Sequence, residues 1–253
     1  MIDLTIVTPV YNEEKNIEPF LDEIIKVLNN ITNNYEIIFI LDPSTDRTEE
    51  IIKKFASQNP KIKLITLSRR FGQPSATVAG IQNSSGNRVV VIDVDLQDPP
   101  EIIAKMYNKM NEGYDVVYGK RLSREGETVI KKIFSSFGYR VINYMSEIYI
   151  PNDVGDFRMI SKRVVIQLRN MNETHGFLRG LVSYVGFNQT HVTFDRKSRE
   201  LGESKYNKFF GSLRIGLNGL IGFTSRPLQL MSILGFLFSF LSFFIGFIYL
   251  ILK

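Results

Sequence analysis

Four β-branched residues, Val89-Val90-Val91-Ile92, run straight into Asp93-Val94-Asp95 and then into Leu96-Gln97-Asp98-Pro99-Pro100-Glu101. An apolar run that stops at carboxylates and a double proline reads as a buried strand ending abruptly at an acidic loop. In open α/β sheets, ligands sit just beyond the carboxyl ends of the strands. Two hard oxygen ligands at such an end suit Mg²⁺ or Mn²⁺ shared with substrate phosphates.

The residues before this stretch repeat one plan. Leu4 to Val10 is an apolar run that Pro9 is expected to stop, and Asn12 is placed to cap the helix that follows. Ile17, Phe20, Leu21, Ile24, Ile25 and Leu28 recur at helical spacing. Tyr35 to Leu41 is a second strand, with a helix after it to about Ser57. Ile62 to Leu67 is a third strand, and Ser75 to Asn83 a third helix. Strand and helix thus alternate four times, which predicts an α/β fold with a right-handed, mostly parallel, Rossmann-like sheet. Asp42, the segment from Arg69 to Gln73, and Asp93 with Asp95 then all follow strands at one edge. Tyr11 either packs at a strand end or offers a flat face to a base or ribose. Asp42 is either a turn residue before Pro43 or an acceptor for a base N–H. Neither a GxGxxG fingerprint nor a Walker A loop is present, which disfavours a dinucleotide or P-loop site.

Beyond the acidic loop, Pro99-Pro100-Glu101 starts a helix through Met110, and residues 113–119 form a turn and strand followed by Lys120-Arg121. Residues 127–150 carry one wide apolar stripe, with Lys131, Lys132 and Arg140 outside it. This is either a core-facing helix or one lying at the headgroup level of a membrane. Residues 151–158 form a second acidic loop containing Asp156. A helix over about 162–171 and an alternating strand over 190–196 follow. The basic segment 196–206 is either a solvated linker or a flap that closes on phosphates.

From Leu228 to Leu252 there is no charged residue. About 23 helical residues span roughly 35 Å, enough for a bilayer core of about 30 Å. Arg214 and Arg226 before this segment, against Lys253 after it, place the N-terminal side in the cytoplasm. The net charge of +5 is concentrated between Arg158 and Arg226, which suits an anionic membrane surface. Nucleic acid is the competing partner for a basic chain, but no nucleic-acid-binding motif accompanies the charge. The absence of cysteine excludes disulfides, zinc–thiolate sites and cysteine nucleophiles, and two histidines argue against a histidine metal cage. The layout is therefore a cytoplasmic domain over 1–206, a juxtamembrane amphipathic helix over 207–226 and a transmembrane helix over 227–253, in the inner (plasma) membrane.

Several motifs now fall into an order. Pro9-x-Tyr11-Asn12-Glu13-Glu14, Asp42-x-Ser44-x-Asp46 and Asp93-x-Asp95-Leu96-Gln97-Asp98-Pro99-Pro100-Glu101 resemble family 2 glycosyltransferases of the GT-A fold. Tyr118-Gly119-Lys120-Arg121, Gly155-Asp156-Phe157-Arg158, Arg179-Gly180-Leu181 and Arg199-x-x-Gly202-x-Ser204-Lys205-Tyr206 narrow the resemblance. They are similar to polyprenyl-phosphate glycosyltransferases, the dolichol-phosphate mannose synthases and undecaprenyl-phosphate glucosyltransferases. The resemblance implies that Asp93, Asp95 and Gln97 hold a divalent metal, Mg²⁺ or Mn²⁺, on the donor diphosphate. It implies a nucleoside seat at Pro9, Tyr11, Glu13 and Asp42, and a clamp on the donor phosphates from Arg199 and Lys205. Arg121, Ser135 and Lys131, which stands where relatives often carry arginine, would receive the acceptor phosphate. Pro43 and Tyr184 stand where many relatives have glycine and tryptophan. Most bacterial members carry two transmembrane helices, where this sequence shows one.

The implied reaction is inverting transfer of a sugar, glucose first, from a nucleotide sugar of the UDP-glucose or GDP-mannose type to a polyprenyl phosphate. Asp95, Arg121 and Asp156 are its catalytic candidates. An acceptor that is a lipid-linked sugar hydroxyl would instead need a base, and Asp156 is the candidate. A non-catalytic nucleotide-binding membrane scaffold is the reading from another class. A homo-oligomer is compatible with the sequence.

Overall fold

The computed structural model describes residues 2–122, 154–171, 178–195 and 226–252. The chain divides into two units, one comprising Met1–Thr128 and Pro151–Tyr206, the other Val129–Ile150 and Asn207–Lys253.

In the first unit, β1 (Leu4–Val10), β2 (Tyr35–Leu41), β3 (Ile62–Thr66), β4 (Arg88–Val91), β5 (Val116–Arg121), β6 (Val154–Ser161) and β7 (Gln189–Phe194) form one sheet in the order β3-β2-β1-β4-β6-β5-β7. The pairs β2/β3, β1/β2, β1/β4 and β5/β7 are parallel, whereas β6 runs antiparallel to both β4 and β5. The sheet is thus mixed and mostly parallel, as the alternation of elements predicts. The inserted strand β6 is the feature that local pattern did not reveal.

Neighbouring strand residues divide between two apolar layers. Ile6, Phe39, Val90 and Val117 pack with Phe20, Leu21, Ile24 and Leu28 of α1 (Ile17–Asn29), Ile52 of α2 (Thr48–Gln58), and Ile103 and Met106 of α4 (Ile102–Asn111). Val7, Ile40, Val89, Val91 and Ile160 pack with Ala76 and Ile81 of α3 (Gln73–Gln82), Val164 and Val165 of α5 (Lys162–Asn170), and Leu178 and Val182 of α6 (Leu178–Val185). The side-chain period of two in a strand puts Ile6 and Val7 on opposite faces, so both faces need helices. Gly80 sets the depth of α3: a Cβ there would collide with the side chains of Val7 and Ile40.

Two local expectations change. Pro9 does not end β1, which runs on to Val10 with Pro9 opposite Ile40 of β2. Val7 C=O accepts the Ile92 N–H. Residue 9, two further on, turns the same edge toward β4 just where β4 gives way to its acidic loop. The N–H that proline lacks therefore costs no ladder bond. Asn12 does not cap α1. It sits at φ +52°, and its Oδ1 accepts the Thr45 N–H at 2.8 Å, tying the β1 loop to the β2 loop.

In the second unit the described element is α7 (Arg226–Leu252), 27 residues long. Its stretch Leu228–Leu252 has a mean hydropathy of 2.3 and buries none of its side chains, so it is long and apolar enough to cross a membrane. The expected juxtamembrane helix over 207–226 and the amphipathic helix over 127–150 lie outside the described residues, apart from Arg226.

Candidate active site

The carboxyl ends of β1, β2 and β4 deliver Tyr11, Asp42 and Asp93 to one edge of the sheet, as the alternation requires. The loops after β1 and β2 are stitched together there. Asn12 N–H donates to Ser44 Oγ at 2.9 Å, Glu13 N–H to Thr48 Oγ1 at 2.7 Å, and Glu14 N–H to Asp46 Oδ2 at 3.1 Å. The Glu13 carboxylate accepts from Asn16 Nδ2. Pro9 is buried in β1 beneath this edge.

Asp42 is 3% exposed, and its carboxylate accepts the backbone N–H groups of Phe71 at 3.0 Å and Gly72 at 2.8 Å. The acceptor expected to face a base is engaged with the loop after β3. That loop carries Arg70, whose guanidinium lies 4.0 Å from the centroid of the Tyr11 ring, with Nη1 3.5 Å from the Tyr11 hydroxyl. A planar cation thus rests on the aromatic face that the sequence offered to a base or ribose.

On the other side of β1 lies an acidic centre. Gln97 N–H donates to Asp95 Oδ1 at 3.2 Å across Leu96, which adopts φ +55°. This turn folds the loop back on itself, the Asx-type bond that aspartate forms with backbone two residues on. Because β6 runs antiparallel to β4, with Val91 opposite Arg158, the start of β6 returns to the end of β4. It brings Asp156 into the electrostatic neighbourhood of Asp93. Burial, together with the carboxylates of Asp95, Asp98 and Asp156, pushes the Asp93 carboxyl up to about 8 against the pull of Arg121.

Three arginines balance part of this charge. Arg121 Nη2 reaches both oxygens of Asp98, at 3.2 and 3.3 Å. Arg179 Nε donates to Asp156 Oδ1 at 3.0 Å, and Arg158 Nη2 to Gly155 C=O at 2.9 Å. Burial alone would raise the Asp156 carboxyl, but Arg179, Arg158 and Arg121 overcome it and hold Asp156 below the usual carboxylate range. A Cβ on Gly155 would stand 2.9 Å from Arg121 Nη2, so glycine there leaves room for the guanidinium.

A family model described as "Glycosyl transferase family 2" matches residues 5–169, from β1 into α5, and takes in this edge apart from Arg179. The chain belongs to glycosyl transferase family 2. It is 42% identical to the "uncharacterized glycosyltransferase YkcC" of Bacillus subtilis (strain 168), over all of this chain and 78% of that one. It is 34% identical to the "bactoprenol glucosyl transferase" of Shigella phage SfV, over 96% of this chain and 79% of the relative. Among solved structures, the fold resembles glucosyl-3-phosphoglycerate synthase from Mycobacterium tuberculosis, in complex with Mn²⁺, UDP and glucosyl-3-phosphoglycerate. That match has a TM-score of 0.57 and 19% identity, covering 87% of this chain and 79% of the other. The architecture is GT-A-like, and the chain is a glycosyltransferase of family 2.

Against that family frame, the edge unites Pro9, Tyr11, Glu13, Asp42, Asp93, Asp95, Gln97, Arg121 and Asp156. Lys131, Ser135, Arg199 and Lys205 lie outside the described residues. Gln97 enters the described geometry through its backbone N–H. A divalent cation fits this donor set. Four carboxylates gather there, and the Asp93 carboxyl is raised by burial and then by its acidic neighbours, both of which a bound cation would offset. No group of three or more metal-ligating side chains closes into a cage among the described residues. A cation held by Asp93, Asp95 and Gln97 would draw its remaining ligands from phosphate oxygens and water.

Sequence reasoning gave no role to Asp98, Arg158, Arg179 or Gln73, although the first three stand in the motifs that carried the resemblance. A buried carboxylate needs a partner. Asp98, between an acidic pair and two prolines, therefore signalled a cation nearby without naming Arg121.

Proposed function

We propose that this glycosyltransferase moves a hexose, glucose as the first candidate, from a nucleotide sugar to the phosphate of a membrane polyprenyl phosphate. The donor is of the UDP-glucose or GDP-mannose type. The observation that carries the reading is the paired charge at the end of β4. Carboxylates suited to a cation on the donor diphosphate stand beside arginines suited to a second, anionic substrate. The relative named bactoprenol glucosyl transferase and the apolar helix α7 support a lipid acceptor.

In this mechanism, Tyr11 and the loops tied together by Asn12, Glu13 and Asp42 seat the nucleoside. Asp93, Asp95 and Gln97 would hold Mg²⁺ or Mn²⁺, which would supply Lewis-acid stabilisation of the leaving diphosphate. Arg199 and Lys205 close on the donor phosphates. Arg121, with Lys131 and Ser135, receives the acceptor phosphate. One of its oxygens attacks the anomeric carbon from the face opposite the departing group. The new C–O bond forms as the bond to the donor's terminal phosphate breaks, and the nucleoside diphosphate leaves with the electron pair, inverting the centre.

A phosphate acceptor is already anionic near neutral pH and needs no general base. Asp156, ion-paired with Arg179 at 3.0 Å, fits a charge-positioning role better than proton abstraction. The proposed layout keeps residues 1–206 as a cytoplasmic catalytic domain, 207–226 as a juxtamembrane helix and 227–253 as an inner-membrane anchor.

The test is one panel: the full chain in detergent with undecaprenyl phosphate, Mg²⁺ or Mn²⁺, and labelled UDP-glucose, GDP-mannose and related donors. The expected product is a glycosyl phosphate that hydrolyses in mild acid. Asp95→Asn should lower turnover by about 10²–10³-fold, the usual scale for losing one electrostatic contact to the transition state. An acid-stable glycoside would instead indicate a hydroxyl acceptor. No turnover with any donor would sink the reading.

A further inference from the structure

Gln73 is the first residue of α3, and its side-chain amide Nε2 donates to Asp93 Oδ1 at 2.8 Å. The position of that amide is determined from several directions. Gly72, immediately before it, adopts φ +87°, a left-handed conformation natural to glycine, and its N–H is held by Asp42 Oδ2 at 2.8 Å. Thr77 Oγ1 donates to Gln73 C=O at 2.9 Å, and Ala76 N–H to Gly72 C=O at 3.1 Å, fixing the first turn. Further along the helix, Gly80 lets α3 lie close against Val7 and Ile40.

Residues 71–73 therefore form a strap. One end is tied to Asp42 at the end of β2, the other to Asp93 at the end of β4, and β1 lies between those strands in the sheet. The Gln73 bond is the one hydrogen bond to the Asp93 side chain among the described residues. Asp95, Asp98 and Asp156 all press negative charge on Asp93.

We propose that Gln73 is a positioning residue for the divalent-cation site: it fixes the orientation of Asp93 by engaging Oδ1 and presents Oδ2 to the cation. The inference rests on the functional reading above and adds a residue to it. Because Asp42 anchors the same strap, the nucleoside side and the cation side share one mechanical support. Outer-shell partners of this kind typically contribute 10–100-fold to metal affinity.

The experiment measures Mn²⁺ uptake by the full chain in detergent, from the fall of the free-ion electron paramagnetic resonance signal, with UDP or GDP present. Gln73→Ala and the near-isosteric Gln73→Met both delete the donor, and Met preserves most of the volume. Both should weaken Mn²⁺ binding about 10-fold or more. Nucleotide affinity in EDTA and the melting temperature should stay close to wild type. Wild-type Mn²⁺ affinity in both variants overturns the proposal. So does parallel loss of metal-free nucleotide binding and thermal stability, which would make Gln73 merely structural. A wild-type chain that takes up no Mn²⁺ with either nucleotide overturns this inference and the functional reading together. Normal wild-type uptake with unaffected variants removes this inference alone.

Discussion

Arg121 and Asp98 form a nearly enclosed ion pair, with side-chain exposures of 17% and 4%, and one arginine nitrogen spans both carboxylate oxygens. Arg121 Nε is buried and has no hydrogen-bond partner among the described residues. Asp98 thus fixes the guanidinium at the edge of the acidic loop, with Nε turned into the protein.

Breaking this pair from one side should be costly. Asp98→Ala takes the bonded carboxylate from a mostly buried cation, and Arg121→Ala takes the bonded cation from a buried carboxylate, so each should lower stability by about 3–5 kcal/mol. The double variant should lose clearly less than the sum, because neither charge is then left alone. Chemical or thermal unfolding of all four proteins measures the coupling. Additive losses would show that the two side chains do not act as a pair.

Asp42→Asn retains the shape but replaces one acceptor with an NH₂ group facing a backbone N–H. The loss of that contact should cost about 1–3 kcal/mol. Amide hydrogen exchange at Phe71 and Gly72 should accelerate, and nucleotide affinity should fall on the order of 10-fold. Unchanged exchange at both amides would refute the anchoring role.

Glu36 predicts a pH dependence of stability. The residue is 1% exposed. Burial raises its carboxyl, but Lys63, the Thr5 hydroxyl and the Ser85 N–H, each 2.6 Å away, win and hold it below the ordinary value of 4.5. A lowered folded-state value means that ionised Glu36 stabilises the fold fully above the unfolded value. That contribution disappears as pH falls below 4.5 and through the folded value. Glu36→Gln should therefore be less stable than wild type at pH 7, by about 1–3 kcal/mol. The gap should close in denaturation experiments carried down toward pH 3. A gap constant across that range would contradict the assignment.

Gly80→Ala should destabilise the first unit by about 1–3 kcal/mol through overpacking, since the new methyl meets Val7 and Ile40 in a filled layer. The same substitution at Gly113, where a Cβ would meet nothing within 4 Å but φ is +101°, tests strain without crowding. Melting temperatures separate the two causes. Gly80→Ala should regain part of its stability when Ile40 is shortened to Val, which removes the Cδ1 clash and leaves that with Val7, whereas Gly113→Ala should not respond.

Much of the fold was legible because it is local. Val89 to Ile92 and Ile37 to Leu41 announce strands by their own side chains, and the helical spacing of Ile17, Phe20, Leu21 and Ile24 announces α1. Asp93 and Asp95 were legible as site residues because strand ends collect ligands wherever the remaining strands lie. What stayed hidden depends on the return of distant chain. Gln73 and Asp93 are 20 residues apart and meet through the entry of α3 into the layer. Arg179 reaches Asp156 because β6 runs against its neighbours, which no hydrophobic period encodes. Pro9 misled for a related reason: a proline blocks a strand only where its missing N–H faces a partner, and the partner's extent is not a local property.

The placement of β6 has a consequence for how the protein is made. Strands β1 to β4 assemble from consecutive units, so their contacts can close early as the chain leaves the ribosome. The outer edge of β4 must wait for residues 154–161, which arrive after β5 and then slot between the two. During that interval Arg88–Val91 presents an unpaired, largely apolar edge, the kind that recruits other chains. Arg158 and Asp156 arrive on the strand that closes this edge. Two charges of the electrostatic centre therefore arrive with the event that ends the period of greatest vulnerability to misassembly, and Arg179 follows them on α6.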